Sequence, residues 1–380
     1  MLSIDCRFPG GNIKVHDIQG DTVFVSPDLR DTRTSWFYWA FRVKGAAGRK
    51  LVFRFLSSHP VGTRGPAIST DGRLTWRWTD DAFDQDSFRI TVPADETYLC
   101  FAPTYTQENW DRFIADMASR PNVADSGFET GFFAKSRKGR PVEIIHAGAS
   151  AEAAKRHVVV TARHHCCEMI ADWVMEGIAA TVLAGDGPEA AWLRENVSFS
   201  FVPFADKDGV EDGDQGKNRA PHDHNRDYGA DAIYPETAAI RGLVKAIAGR
   251  YGRLDMFLDL HCPWIRGEGN EYVYMPGCRE PEFARRQLEF GALLEAACGP
   301  GSLPYFNADY YPFGKGWNVA ANESDGVSST RWARSVPGVQ FGSSMEIPYA
   351  NARDVNVTPD LARGLGRAIA AALAQYLRDK

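Results

Sequence analysis

The chain has 380 residues, with 43 Lys and Arg against 49 Asp and Glu, a net charge of −6 and a hydrophobic content of 44%. This length predicts two domains, or one large domain with an appendage, and the composition excludes a disordered chain. The acidic balance argues against nucleic acid as a partner, since a surface that binds nucleic acid carries a basic excess.

The hydrophobic stretches and the cysteines bear on the cellular compartment. No stretch approaches the length that spans a bilayer, and residues 1–12 lack the apolar core of a secretory signal. The seven cysteines are an odd number and are scattered, which is not the pattern of a disulfide framework. We therefore expect a cytoplasmic protein with no membrane partner.

The first hundred residues have the pattern of a β-domain. Short alternating segments at 36–43, 51–56, 74–78, 88–92 and 98–102 are separated by residues that reverse a chain, such as Asp71-Gly72. The pattern predicts an antiparallel β-sandwich over residues 1–105.

The pattern changes after Tyr105, where strand-like and helix-like segments alternate to the end of the chain. This alternation predicts an α/β domain over residues 106–380. The stretch 206–229 is rich in Gly, Asp and Arg and is predicted to be one long loop, and such loops in a compact domain are usually functional. The predicted strands are 158–162, 198–203 and 256–260, and the predicted helices are 170–182, 236–250, 282–298 and 358–378.

Candidate metal ligands occur where two of the predicted strands end. His165 and Glu168 form an H-x-x-E pair between the 158–162 strand and the next helix, and His261 closes the 256–260 strand. Histidine and glutamate suit zinc, and three protein ligands leave the open position of a catalytic site. An isolated H-x-x-E pair also arises by chance, so its meaning depends on what accompanies it. We interpret Cys166 and Cys167 as small buried residues instead of ligands.

Four short motifs accompany one another along the chain. They are Thr161-Ala162-Arg163-His164-His165-Cys166-Cys167-Glu168, Asp223-His224-Asn225-Arg226, Asp259-Leu260-His261 and Ser344-Met345-Glu346. In these motifs, and in their order, the sequence resembles the M14 family of zinc carboxypeptidases and, within it, the cytosolic carboxypeptidase subgroup. That subgroup also places a β-sandwich before its catalytic domain, and residues 101–106 are similar to its link. The resemblance implies a mixed-sheet, zinc carboxypeptidase-like α/β domain preceded by an all-β sandwich.

The resemblance implies one zinc ion per chain, bound by His165, Glu168 and His261. Zinc lowers the pKa of a bound water to about 7, which makes hydroxide available at neutral pH. Glu346 matches the catalytic glutamate of the family and would take the proton of that water, helped by an apolar setting that raises its pKa. A glutamate exposed on an edge strand is the alternative for this position.

Four residues are implied in contacts with the substrate. Asn225 and Arg226 would hold its free C-terminal carboxylate, since a guanidinium matches a carboxylate in a bidentate geometry. Arg219 resembles the arginine that stabilises the developing oxyanion, although it lies fewer residues before Asn225 than the family pattern leads us to expect. Arg331 is similar to an arginine that faces an acidic substrate side chain. The alternatives are a solvated loop arginine for Arg219 and a surface ion pair for Arg331.

Neighbouring residues receive supporting roles. We interpret His222 and His224 as loop or pocket-lining residues, not as ligands. We expect Asp259 to point away from His261 and therefore not to be a fourth ligand, and a role in supporting the ligands or in contacting the loop behind the sheet stays open. The tyrosine that moves over the pocket in the family stays open among three candidates: Tyr310, Tyr311 and Tyr349.

Three functions are compatible with these residues. The leading hypothesis is a metallocarboxypeptidase that removes C-terminal residues from peptides or protein tails, with acidic residues preferred if Arg331 faces the pocket. The second is a zinc-dependent amidase or deacylase acting on N-acyl amino acids or peptidoglycan-type peptides, and the third is a non-catalytic binding protein. The Asn225-Arg226 pair favours the first, because a carboxylate clamp has no purpose in cutting an internal bond.

Overall fold

A computed structural model of the chain describes residues 1–123, 126–323 and 326–380. Two sheets form the first part of the structure, with strand orders β1-β4-β9-β6-β7 and β2-β3-β5-β8. Their strands are β1 (Ser3–Asp5), β2 (Lys14–Gln19), β3 (Thr22–Ser26), β4 (Ala40–Lys44), β5 (Lys50–Phe55), β6 (Ala67–Ser69), β7 (Arg77–Trp78), β8 (Ser87–Thr91) and β9 (Glu96–Cys100).

Aromatic side chains fill the space between these two sheets. Phe41 on β4 lies 5.0 Å from Phe53 on β5, and Trp39 lies 5.7 Å from Phe88 on β8, measured between ring centroids. The predicted β-sandwich is therefore confirmed. One pairing differs from the antiparallel prediction, because β3 and β5 are parallel. The intervening strand β4 belongs to the other sheet, so the chain returns to β3 in the same direction.

A six-stranded mixed sheet forms the centre of the second part, in the order β10-β11-β13-β12-β14-β15. The pairs β10–β11 and β11–β13 are antiparallel and the remaining pairs are parallel. The strands are β10 (Glu129–Lys135), β11 (Pro141–Gly148), β12 (Arg156–Ala162), β13 (Val197–Val202), β14 (Met256–His261) and β15 (Gly342–Glu346), followed by the hairpin β16 (Asn351–Ala352) and β17 (Val355–Asn356).

Helices cover both faces of this sheet, as the predicted α/β architecture requires. Val158 and Val160 of β12 pack into one core with α2 and α8, whereas Val159 packs into the other with α5 and α7. This alternation follows from the two-residue period of a strand. The helices are α1 (Gln107–Ser119), α2 (Ile170–Ala184), α3 (Pro188–Asn196), α4 (Lys207–Asp212), α5 (Pro235–Tyr251), α6 (Pro281–Ala297), α7 (Ser329–Ser335) and α8 (Pro359–Arg378).

The segment 206–229 is not the single long loop that the sequence predicts. It contains α4, which is capped at its start by Asp206 accepting a hydrogen bond from the Gly209 N–H at 2.9 Å. It also contains the 3-10 helix His224–Arg226. The prediction missed these elements because each is too short to show a hydrophobic period.

Several contacts join the sandwich to the α/β part. The Tyr38 N–H donates to Gln215 Oε1 at 2.8 Å, and Trp78 Nε1 donates to the Val357 carbonyl at 2.8 Å. Residues 101–106, between β9 and α1, are buried. The proposed boundary at residue 105 stays a prediction. Across the described residues, no helix has the length and apolar character needed to cross a membrane.

Candidate metal centre and substrate cleft

Three buried side chains converge at the carboxyl edge of the parallel strands. His165 and Glu168 lie between β12 and α2, and His261 ends β14. His165 Nδ1 is 3.0 Å from Glu168 Oε1, and His261 Nδ1 is 2.8 Å from Glu168 Oε2. Ligand atoms of the three residues lie within 4.8 Å of one another. Two imidazole nitrogens and a carboxylate at this spacing are a donor set that fits zinc.

Each imidazole also has a carboxylate behind it. His261 Nε2 lies 2.8 Å from Asp259 Oδ2, and His165 Nε2 lies 3.7 Å from Asp223 Oδ1. The expectation that Asp259 points away from His261 is wrong, because residues two apart in a strand share a face. Carboxylates in this position fix the ring orientation and the tautomer of a metal-binding histidine. The Asp259 contact therefore leaves Nδ1 of His261 for an ion, whereas the 3.7 Å separation between Asp223 and His165 is too long for a hydrogen bond.

The charges around His261 also favour a cation at this place. Burial alone would lower the pKa of His261, but the carboxylates of Asp259 and Glu168 raise it well above the usual histidine value. The protein thus concentrates negative charge on an imidazole that is buried from water. A bound metal ion would satisfy the same charge without a proton.

A hydrogen-bond network behind the ligands was not predicted from the sequence. Asp259 Oδ1 accepts from Thr161 Oγ1 at 2.8 Å and contacts His164 Nδ1 at 2.8 Å, and Ser329 Oγ donates to Asp259 Oδ2. His164 Nε2 contacts the Tyr228 hydroxyl at 2.7 Å. Both nitrogens of His164 are therefore occupied, which makes it a support for Asp259. The two strands that carry this network, β12 and β14, are both predicted from the sequence. Their parallel pairing in the structure places Thr161 opposite Asp259.

Arg163 shapes the turn that carries the first two ligands. Its backbone has a positive φ of 61°, in the left-handed region. Its guanidinium is buried, donates to the Cys166 carbonyl at 2.8 Å and pairs with Asp172. Burial raises the pKa of Asp172 to about 7, and the arginine opposes that rise. Through these two contacts, Arg163 connects the turn to α2.

Glu346 ends β15 beside the metal ligands. The register of β14 with β15 pairs His261 with Glu346. Although β15 is an edge strand, Glu346 is only 8% exposed, and Tyr274 pairs with it along the main chain. Its Oε2 has no hydrogen-bond partner among the described residues. Burial raises the pKa of Glu346, so the exposed-glutamate alternative does not describe this residue.

A cleft of about 570 Å³ opens over these residues. Asn225 and Arg226 line it together with His165, His261 and Glu346. The Asn225 amide oxygen accepts the Ser329 N–H at 3.0 Å, and its Nδ2 lies 3.5 Å from His261 Nε2. The clamp residues and the metal ligands therefore face one space.

Arg219 does not lie where the resemblance implies. Its Nε pairs with Asp31 at 3.0 Å, its Nη2 with Asp214 at 3.0 Å, and its Nη1 with Asp206. It is not among the residues that line the cleft. Three carboxylates hold the guanidinium away from the ligands, so the structure does not support an oxyanion role for Arg219. The neighbouring Lys217 lines the cleft instead.

Arg331 is likewise absent from the residues that line the cleft. Arg334, one turn later in α7, does line it, together with Arg279. The Arg334 side chain is 9% exposed and its Nε pairs with Glu280 at 3.0 Å. Of these two arginines of α7, Arg334 lines the cleft and Arg331 does not, because the side-chain direction depends on the helix phase.

The remaining candidates lie outside the cleft lining. His222 pairs with Asp227, and the His224 ring stacks on Tyr234 at 3.6 Å. Among the described residues, neither belongs to the candidate ligand set, and the interpretation that they are not ligands stays a prediction. None of the three candidate tyrosines lines the cleft, although Tyr311 stacks at 5.9 Å on Trp317, which does. The seven cysteines are free and five are buried, Cys166 and Cys167 among them.

Two sequence profiles match the chain in tandem. The profile of the cytosolic carboxypeptidase N-terminal domain matches residues 4–114, and the zinc carboxypeptidase profile matches residues 123–261. The second match contains His165, Glu168 and His261. Glu346 lies beyond it.

Individual proteins are similar to the chain over most of its length. An uncharacterised protein of Zymomonas mobilis is 25% identical over 270 residues, which are 68% of this chain and 67% of that protein. Cytosolic carboxypeptidase 2 of Danio rerio is 25% identical over 76% of this chain. The chain spans only 44% of the length of that relative.

Solved structures share the whole fold. A metallo-carboxypeptidase from Pseudomonas aeruginosa, solved in complex with (2-guanidinoethylmercapto)succinic acid, superposes with a TM-score of 0.80. The two chains are 20% identical, and the match covers 99% of each. The sandwich and the α/β part therefore occur together, in this arrangement, in another protein.

Proposed function

The chain belongs to the M14 family of zinc carboxypeptidases, with the N-terminal domain of the cytosolic subgroup, and from this premise we propose that it is a metallocarboxypeptidase. It would release residues from the free C-terminus of peptides or protein tails. The observation that supports this most is the convergence of His165, Glu168 and His261 on one point beside Glu346, whose Oε2 has no hydrogen-bond partner among the described residues. We further propose one zinc ion per chain and a cytoplasmic location.

Each residue of the cluster has a defined part in hydrolysis. His165, Glu168 and His261 would hold the zinc ion, which when bound supplies a water of lowered pKa and polarises the scissile carbonyl. Glu346 takes the proton of the attacking water and passes it to the leaving amine. Asp259 keeps the His261 imidazole in the tautomer that leaves Nδ1 free to bind.

Asn225 and Arg226 limit the reaction to the chain end. The Arg226 guanidinium is held by the Asn225 carbonyl at 2.9 Å and the Asn322 carbonyl at 3.0 Å, and it lines the cleft. Neutral carbonyls orient the guanidinium without neutralising its charge. The free carboxylate of a substrate would supply an anion to this guanidinium, which an internal peptide bond does not.

Arg334 is the residue that we propose to favour acidic C-terminal side chains. It and Arg279 place two guanidinium groups in the cleft lining, and Glu280 pairs with Arg334. A guanidinium on this wall would attract a glutamate or aspartate side chain. This assignment moves the role first given to Arg331 by one turn of α7.

The test is metal analysis combined with hydrolysis of blocked dipeptides that end in Glu, Asp, Lys, Phe or Ala. One zinc per chain, and release of the C-terminal residue by the wild type but not by Glu346→Gln, is the expected result. Bound zinc without release from any peptide would favour the amidase or deacylase. Absence of stoichiometric zinc would contradict the proposal.

A further inference from the structure

Lys217 occupies a position in the cleft that the family pattern does not assign. Its Nζ lies 2.7 Å from Glu168 Oε1, and its side chain is 18% exposed. The same ammonium lies over the ring of Trp36, 5.1 Å from the ring centroid. Lys217, Trp36 and Glu346 all line the cleft. The Lys217 ammonium is thus held against the ligand set on the side that lines the cleft.

The backbone that carries Lys217 is fixed by the first domain. Asp31 Oδ1 accepts the Gln215 N–H at 3.0 Å, and Asp31 Oδ2 accepts the Gly216 N–H at 2.9 Å. Gly216 has a φ of 78°, and a Cβ there would lie 2.4 Å from the Cys166 nitrogen. Only glycine permits this close approach. The ammonium is therefore held beside the turn that bears the metal ligands.

Arg219, two residues further on, is directed elsewhere. Asp31, Asp206 and Asp214 occupy its three guanidinium nitrogens, as described above. This segment therefore carries two cations with different surroundings. Arg219 pairs with three carboxylates outside the cleft, whereas Lys217 pairs with Glu168 and lines the cleft.

We propose that Lys217, in place of Arg219, provides the cation that stabilises the scissile carbonyl oxygen as negative charge develops on it. This inference rests on the proposed function. Lys217 donates a hydrogen bond and keeps its proton throughout, so no bond to it forms or breaks. A donor fixed in a water-poor site stabilises the transition state more than the ground state. Trp36 orients the ammonium from its far side through its ring face.

The experiment compares Lys217→Met and Lys217→Arg with Lys245→Met. Lys245 is an exposed lysine on α5 and serves as the matched control. Zinc content, kcat and KM on a blocked dipeptide, and the Kd of a phosphonate analogue of that dipeptide are measured for each. We expect Lys217→Met to lower kcat by about 10²- to 10³-fold, with zinc stoichiometric and KM changed less than about threefold. Lys217→Arg should recover at least a tenth of the lost rate.

The phosphonate separates a transition-state contact from a structural one. Its affinity should fall in step with kcat/KM from wild type to Lys217→Arg to Lys217→Met. A kcat of Lys217→Met equal to that of wild type would overturn the proposal. So would a loss of activity that merely follows a loss of zinc, because Lys217 would then only position Glu168. If the zinc-loaded wild type releases no residue, the proposed function fails, whereas equal phosphonate binding by wild type and Lys217→Met refutes the lysine alone.

Discussion

His261 and Glu346 are paired in register at the carboxyl ends of the parallel strands β14 and β15. Neighbouring strands lie about 4.8 Å apart, so the sheet itself sets the distance between a metal ligand and the proposed proton acceptor. A site carried on strands is more rigid than one carried on loops. The chemistry therefore depends on strand pairing more than on any single side-chain contact.

Replacing Glu346 by glutamine removes the proposed proton acceptor without changing the size of the side chain. We expect kcat/KM to fall by at least about 10³-fold with zinc content unchanged, because Glu346 is not in the ligand set. The melting temperature should stay the same or rise, since a buried carboxylate with a raised pKa is destabilising when ionised. A variant that keeps a tenth of the wild-type activity would contradict this role.

The raised pKa of Glu346 also sets the pH profile. The group acts as a base only when ionised, so activity is lost as the pH falls through its pKa. Burial raises this pKa, so the acidic limb of kcat/KM should lie above the usual glutamate value of about 4.3. The residual activity of Glu346→Gln should lack that limb. An unchanged limb would assign it to another group.

Replacing Asp259 by asparagine tests the support behind His261. The amide can still contact the ring but no longer stabilises the required tautomer, so we expect zinc affinity to fall by about 10- to 100-fold. Competition with a chromophoric chelator measures the change. Asp231→Asn, at an exposed loop position, is the matched control. Equal affinities of the two variants would refute the support role.

Arg334 and Arg331 can be separated by their effect on substrate preference. Arg334→Gln should reduce the preference for a C-terminal Glu over Ala, measured as the ratio of kcat/KM values, by about tenfold or more. Arg331→Gln should leave that ratio unchanged, because Arg331 does not line the cleft. The opposite pattern would restore the assignment that the sequence suggested.

Arg219 is expected to act on stability. Arg219→Met leaves Asp206 and Asp31 without their partner in a largely buried network, which should lower the free energy of unfolding by about 3–5 kcal/mol. Urea unfolding of the zinc-loaded protein measures this change. A loss below about 1 kcal/mol would show that the three carboxylates do not depend on the arginine.

The sequence predicts some of the longer elements and misses others, since helix α1 (Gln107–Ser119) and strand β11 (Pro141–Gly148) were not predicted although both bury apolar side chains. The buried runs of β12 and β14 and the amphipathic helix α8 match their predicted positions within one or two residues. Strand β10 was missed because its side chains are mostly exposed or half-buried at the edge of the sheet, which leaves no apolar pattern to detect. Short elements such as α4 and α7 have too few residues for a period.

In the site, the positions of residues at or just after strand ends were easier to predict than those of residues further along the loops. The ligand set follows from strand ends, whose direction is dictated by the sheet. The direction of Arg219 depends instead on Asp31, which is 188 residues earlier in the chain. No local pattern contains that contact. The position of Asp259 was predictable, and the expectation failed because the strand period was misapplied.

The anchoring of Gln215 and Gly216 by Asp31 has a genetic consequence. The first domain is far from the metal ligands in sequence. Its Asp31 nevertheless fixes the backbone next to Lys217, and its Trp36 forms part of the cleft wall. A random screen for inactive alleles should therefore return changes at residues 31 and 36 in proteins that still fold. Inheritance of the two domains as one unit, without recombination between them, would follow from the same contacts.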